Sequence, residues 1–311
     1  MFLSLCANPT VDLAAEADQV VATVKLRCSR PRVDPGGGGI NVARVLTRLG
    51  AECRAVAPIG GADGARLGRI LADDGVALEA VMIAGDTRQS LTILDRGQNQ
   101  QYRFVFPGPE LAVDEWQACL ARLDALAGAG DDVIASGSLA PGMPDDFYAQ
   151  AAAIARAKGA RLTLDTSGAA LKAALDHGVY LVKPNLRELA ELLGQPLSSA
   201  AAWEKAARDL VAAGRAEIVA LSLGAAGAFI ATRGQCLRVQ ALDVAVKTAV
   251  GAGDSFLAAF IHRLAQPNAS LADAARAAVA AGSSALMRGG TSLAMADDVA
   301  ALAAQVGVEA C

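Results

Sequence analysis

Apolar positions along this 311-residue chain fall into short blocks that alternate between two periods. The stretches "FLSLCA", "ECRAVAPIG", "DDVIASGS", "ARLTLDTS", "VYLVKPN" and "EIVALSLG" have the length and bounding residues of buried strands. Between them, near residues 40–49, 65–74, 114–126, 145–158, 168–176 and 200–213, apolar side chains recur at helical spacing. Such alternation predicts β-α-β units, hence a mostly parallel sheet flanked by helices. Two further helices, near 253–265 and 271–287, are expected to close the chain. Turn signals at Pro141-Gly142, Gly194 and Gly214 fall between elements, and no long Ser/Pro/Gly linker divides them. A single α/β domain over 1–311 is therefore expected.

Two stretches break that rhythm. Residues 11–34 and 88–106 read as extended segments, the second a hairpin around "DRGQNQ". Pairing with each other would make a small β-sheet lid, with lid segments at about 12–34 and 88–106. A sheet that small buries too little to stand alone, so it serves as a lid or a dimer contact.

Composition narrows the function classes. The chain is 53% hydrophobic, carries a net charge of −4 and has no dense Lys/Arg run, which argues against nucleic-acid or anionic-membrane partners. No charge-free apolar run is long enough for a membrane span, and the first residues lack a signal peptide's basic flank. Six scattered cysteines without a C-x-x-C fit reduced thiols in a cytoplasmic protein better than a zinc site. The only histidines, His177 and His262, sit in helical contexts that suggest structural roles.

Candidate chemistry lies in four other stretches. In "PRVDPGGGGINVARVLTRLG" four glycines, Gly36, Gly37, Gly38 and Gly39, precede a helix, either as a hinge or to let a ligand approach the backbone. In "KTAVGAGDSFLAAFIHRLA", Gly251-Ala252-Gly253 lead into a helix whose free N–H groups and dipole make a natural anion site. Asp254 there is either a helix cap or a catalytic carboxylate. Asn185 and Glu188 share a helical face after "VYLVKPN"; they are a cap with a solvated carboxylate, or they organise the water shell of Mg²⁺. Ser222, Gly224 and Gly227 mark a turn, either a plain hairpin or a passage beside a nucleotide.

The order of these motifs, Gly-rich helix entry, N-x-x-E, then "VGAGDSF", resembles the ribokinase/PfkB family of sugar kinases over essentially the whole chain. Within it, "PGGGGINVAR", "KLRC", "TRQ" and "QYRFV" are similar to the branch that phosphorylates fructose 6-phosphate. No Walker A motif is present, so other loops must hold phosphate. The resemblance implies a ribokinase-like fold with a β lid, ATP and Mg²⁺, and Asp254 as general base with Gly251, Ala252 and Gly253 as the anion hole. It implies that Asp12, Asn41 and the Gly36–Gly39 backbone hold sugar hydroxyls. Lys25, Arg27 and Arg88 would hold the 6-phosphate with Ser138 nearby, and Arg103 completes the lid's cationic cluster. In an extended strand Lys25 and Arg27 face one side; a solvated lid face is the plain alternative.

Lys183, Asn185, Ser222, Gly224, Gly227 and Ser283 would line the nucleotide site, with Glu188 reaching Mg²⁺ through water. For K⁺, which many family members bind, the candidates are Thr248, Val250, Ala285, Arg288, Gly290 and Ser292; Thr248 stands where relatives carry Asp. The implied partners are fructose 6-phosphate and a second copy of the chain, paired through the lid. The rival branches act on fructose 1-phosphate or tagatose 6-phosphate, and their loop reads G-G-K-G-I-N, with a lysine this chain lacks. From another class, a catalytically silent sugar-phosphate sensor is disfavoured by the intact Asp254. A dinucleotide-binding dehydrogenase is disfavoured because "GGGGIN" lacks the G-x-G-x-x-G spacing.

Overall fold

A computed structural model describes residues 1–290 and 292–311. The chain opens with β1 (Phe2–Leu5), then β2 (Thr10–Ala17), β3 (Arg32–Gly36) and α1 (Gly38–Arg48). Next come β4 (Cys53–Ile59), α2 (Gly61–Asp73), β5 (Ala77–Met82), β6 (Arg88–Asp95), β7 (Gln100–Val105) and α3 (Val113–Leu126). The middle runs β8 (Asp132–Ser136), α4 (Phe147–Ala157), β9 (Arg161–Asp165), α5 (Gly168–His177), β10 (Val179–Val182), α6 (Leu186–Leu193) and α7 (Ala200–Ala212). The rest is β11 (Ala216–Ser222), β12 (Ala228–Thr232), β13 (Cys236–Val239), α8 (Ala252–Leu264), α9 (Leu271–Leu286), α10 (Ala296–Ala303) and β14 (Val308–Ala310).

Ten strands form one sheet in the order β14-β13-β12-β11-β10-β9-β8-β1-β4-β5. From β11 to β5 neighbours are parallel; β12, β13 and β14 extend it antiparallel. Alternate residues of the strands face two apolar layers, as in any sheet covered on both sides. One layer packs Ile40, Val45, Phe256, Phe260, Ala278 and Val299 from α1, α8, α9 and α10. The other packs Leu123, Phe147, Tyr148, Leu171, Ala207 and Leu210 from α3, α4, α5 and α7. The chain leaves β1 in one direction through β4 to β5 and returns beside it as β8 to proceed the other way. A crevice opens outside the carboxyl ends of strands at such a reversal, where parallel α/β sheets bind ligands.

The remaining four strands make a separate sheet, β3-β2-β6-β7, with β2 and β6 parallel and the other pairs antiparallel. The first of its segments departs from the sequence expectation. Lys25 and Arg27 are exposed and lie in the loop between β2 and β3, whose only ladder contact among the described residues is the Ala17–Cys28 bridge. Residues 19–31 offer no alternation of buried and exposed positions that a strand would need, so the two cations share no strand face. The C-terminal part also holds more than two helices. After α9 come α10 and the edge strand β14, too short and too Ala-rich to announce themselves by period.

Candidate active site

The reversal beside β1 places the glycine loop, the α8 entry and the small sheet around one cavity of about 360 Å³. Its lining includes Thr10, Asp12, Gly37, Gly38, Asn41, Arg88, Ser90, Gln101, Arg103, Thr248, Val250, Gly251, Asp254 and Gly290. The four glycines answer a packing demand. A Cβ on Gly36 would stand 2.2 Å from Asp12 Oδ2, on Gly38 2.4 Å from Ser136 Oγ, and on Gly39 2.6 Å from the Leu5 carbonyl. Gly37 adds a φ of +105° at the α1 N-cap, a region other residues rarely enter. The loop is thus a tightly seated backbone ledge, held from below by Ser4 Oγ donating to Gly39 O at 2.6 Å. Its hinge reading does not survive this packing.

Gly251, at φ 76°, is the N-cap of α8, so Asp254 falls at the third helical position and is not the cap. Asn41 Nδ2 donates to Asp254 Oδ2 at 2.9 Å, joining α1 to α8 across the cavity. Asn41 Oδ1 is buried and has no partner among the described residues, leaving an acceptor for a ligand hydroxyl. Burial pushes the Asp254 carboxyl up to about 6, with the nearby Asp165 charge adding to it, while Asn41 and Lys183 pull the other way. Burial likewise pushes Asp12 to about 6 against the opposing pull of Arg88. A carboxylate held near 6 is ionised at neutral pH yet basic enough to take a proton.

Lys183, at the end of β10, is buried and salt-bridged to Asp165 at 3.0 Å. Burial alone would lower its ammonium, but Asp165, then Asp254 and Glu188, raise it above its ordinary value. Its Nζ lies 3.4 Å from where a Cβ on Gly253 would sit, directly behind the α8 entry. Asp165 escaped the sequence reading, although an acidic residue at the carboxyl end of an inner parallel strand is a usable signal.

Asn185 and Glu188 form a reciprocal capping box: Glu188 N donates to Asn185 Oδ1 and Asn185 N to Glu188 Oε2, each at 2.9 Å. That occupies one Glu188 oxygen and leaves Oε1 for an ion's water shell. Asp165 and Glu188 flank Lys183, and oxygen donors of this kind suit Mg²⁺, which keeps most of its own water. Ser222 ends β11 beside them, its N–H donating to Pro184 O at 3.0 Å, and Gly224–Ala226 make a short 3-10 turn closed by Leu223 N–H to Gly227 O at 2.9 Å. Ser283 is buried on α9.

Ser138 lies outside the main cavity, in an adjoining open cleft that Arg88 also borders. The cation candidates do not all converge. Thr248, Val250 and Gly290 share the cavity, whereas Ser292 Oγ and O accept from Arg32 Nη1 at 3.3 Å and Arg48 Nη1 at 2.6 Å. The Arg288 side chain is paired to Asp298, and the Ala285 carbonyl accepts the Arg288 N–H at the α9 terminus.

Residues 5–298 match the family model described as "pfkB family carbohydrate kinase". The chain belongs to the PfkB family of carbohydrate kinases. Among PfkB relatives, "ATP-dependent 6-phosphofructokinase isozyme 2" of Mycobacterium tuberculosis is 41% identical over 297 residues, covering 96% of this chain and 87% of that one. The Escherichia coli K12 protein of the same name is 40% identical over 296 residues, 95% of each chain. The solved phosphofructokinase-2 of Escherichia coli in complex with potassium superposes with a TM-score of 0.94 at 38% identity, covering 98% of both chains. The same enzyme in complex with fructose-6-phosphate gives a TM-score of 0.92. A "1-phosphofructokinase" of Xanthomonas campestris is also similar, at 35% identity over 282 residues, 89% of this chain and 88% of that one.

Proposed function

We propose that this PfkB kinase transfers the γ-phosphoryl group of ATP to the 1-hydroxyl of fructose 6-phosphate, giving fructose 1,6-bisphosphate. The observation that carries the reading is Asp254, anchored by Asn41 at the α8 entry and sharing one cavity with two arginines, Arg88 and Arg103. Asp254 takes the hydroxyl proton as attack proceeds. The N–H groups of Gly251, Ala252 and Gly253 face the phosphoryl oxygens, where positive backbone ends act without reorganisation. Asn41 and Asp12 orient sugar hydroxyls, and Arg88 and Arg103 hold the phosphate that the acceptor already carries. Lys183, Asn185, Ser222, Gly224, Gly227 and Ser283 line the path of the nucleotide. Glu188, with Asp165 beside it, would hold Mg²⁺ through water, and the ion would neutralise charge on the nucleotide phosphates. Thr248 and the Val250 carbonyl remain the cation candidates in the cavity wall.

Lys25 and Arg27 enter this reading through a second copy. Their loop carries exposed Val21, Val24 and Leu26, and the far edge of the small sheet exposes Phe104, Val105 and Phe106. Pairing lid to lid covers these apolar groups and brings the loop cations toward the neighbour's phosphate site. Similarity to the two isozyme 2 relatives, at 40–41% against 35% for the 1-phosphofructokinase, favours the 6-phosphate acceptor. ATP consumption measured side by side with fructose 6-phosphate, fructose 1-phosphate and tagatose 6-phosphate tests it. Preference for fructose 6-phosphate is expected; preference for fructose 1-phosphate would overturn the acceptor, and binding without turnover would make the chain a sensor.

A further inference from the structure

The turn that follows β1, Ala7-Asn8-Pro9, touches Arg88, the 138–139 turn and the glycine loop, and nothing in the motif pattern singles it out. Asn8 is 8% exposed. Its side-chain Nδ2 donates to Ser138 Oγ at 3.3 Å and to the Leu139 carbonyl at 3.2 Å. Its main-chain carbonyl accepts from Arg88 Nη2 at 3.0 Å, while Arg88 Nη1 donates to Phe106 O at 3.1 Å. A Cβ on Gly37 would lie 3.1 Å from Pro9 Cα, so the same turn also backs the glycine ledge. Residues 80 and 130 positions apart from Asn8 are thereby set by one residue.

Arg88 is shaped by this grip. Two of its five N–H groups are spent on carbonyls that orient the guanidinium plane, and its buried Nε has no partner among the described residues. A buried donor left open costs free energy until a ligand oxygen meets it. Arg88 therefore lines both the main cavity and the cleft holding Ser138, its guanidinium oriented by the Asn8 and Phe106 carbonyls.

We propose that Asn8 is a positioning residue that joins Arg88 and Ser138 into one preformed clamp for the acceptor's phosphate. This rests on the reading that the 6-phosphate binds there. The side-chain amide ties the 138–139 turn to the backbone that holds Arg88, so the phosphate meets both partners without ordering either. Losing the amide lets the two walls drift apart, and the cost falls on binding the phosphorylated sugar, since the γ-phosphoryl transfer itself occurs at Asp254.

The test is steady-state kinetics of Asn8→Ala, Ser138→Ala, their double variant and Gly108→Ala. Gly108 borders the Ser138 cleft and packs on the Asn8 amide, where a Cβ would stand 2.4 Å from Asn8 Oδ1. Asn8→Ala should raise KM for fructose 6-phosphate about tenfold, with a much smaller change in kcat and in KM for ATP, and Gly108→Ala should move the same parameter severalfold. In the double variant the KM increase should be close to the larger single effect, well short of the product. Multiplicative effects, an Asn8→Ala KM within twofold of the parent, or an equal rise in KM for ATP would overturn the clamp. If Ser138→Ala and Arg88→Lys themselves leave KM for fructose 6-phosphate unmoved, the phosphate site is elsewhere and the acceptor reading falls with it.

Discussion

Replacing Asp254 by Asn should separate what this carboxylate does for catalysis from what it costs the fold. Its carboxyl stands at about 6 in the folded chain against an ordinary 3.8, chiefly because it is buried. A folded-state value above the unfolded one means that stability is fully present below the unfolded value and is lost as pH rises through the folded one. At about 1.36 kcal/mol per unit, the ionised group costs roughly 3 kcal/mol at pH 8 and roughly 1.5 kcal/mol at pH 5. Asn is isosteric, stays neutral and still accepts from Asn41 Nδ2, so Asp254→Asn should be the more stable protein, increasingly so toward alkaline pH. For a chain of this size the gain corresponds to a Tm higher by about 6 °C at pH 8 and about 3 °C at pH 5. Turnover, followed by coupled detection of ADP, should fall by a factor on the order of 10²–10⁴ or more. A variant no more stable than the parent at pH 8, or a stability difference independent of pH, would refute the buried-charge argument. Residual turnover above a tenth of the parent's would remove Asp254 from the role of base.

Other consequences follow from the same geometry. In the parent, kcat/KM should fall below about pH 6 with a slope approaching two, because Asp254 and Asp12 both stand at about 6 and both must be ionised. The remaining activity of Asp12→Asn should show an acid limb of slope one, which a pH–rate profile reads directly. Gly38→Ala forces a Cβ to within 2.9 Å of the Gly137 N as well as against Ser136 Oγ, so it should destabilise by about 1–3 kcal/mol and raise KM for the sugar phosphate. Asp165→Asn strips the partner from a buried ammonium; denaturant titration should show a loss of about 3–5 kcal/mol. Lys25→Ala should raise KM for fructose 6-phosphate only in the dimer, checked by kinetics alongside sedimentation across protein concentration.

Helical and strand periods were legible for β1, β4, β8 to β11 and most helices, where an apolar run or a helical stripe is bounded by turn residues. The pattern did not reveal β5, β13 and β14, which lie at or near the sheet edges, nor β12 and α10, whose small residues show no clear period. Lys25 and Arg27 were misplaced for a related reason: alternating charges look extended on paper, but only ladder partners make a strand, and their segment has one bridge. The glycine loop and Asp254 stood out by a helix-entry pattern written in neighbouring residues, whereas Asn41 came only with the family resemblance. Asn8 carries no such local mark, and the strand-end position of Asp165 does not by itself name its partner. Both gain their roles only when parallel strands bring chain-distant residues to one crevice: Asp165 beside Lys183, and Asn8 between Arg88 and Ser138. The same holds for Glu188, whose sequence spacing left cap and ion site equal; the structure shows one oxygen in the cap and the carboxylate's charge raising Lys183. The amino-acid order thus determined by itself the alternation of elements, the parallel core and the loops that carry chemistry, because those depend on neighbours within a few residues. Tertiary structure alone decided which charges lose water and which side chains meet, because desolvation and long-range hydrogen bonds exist only once the sheet has brought the pieces together.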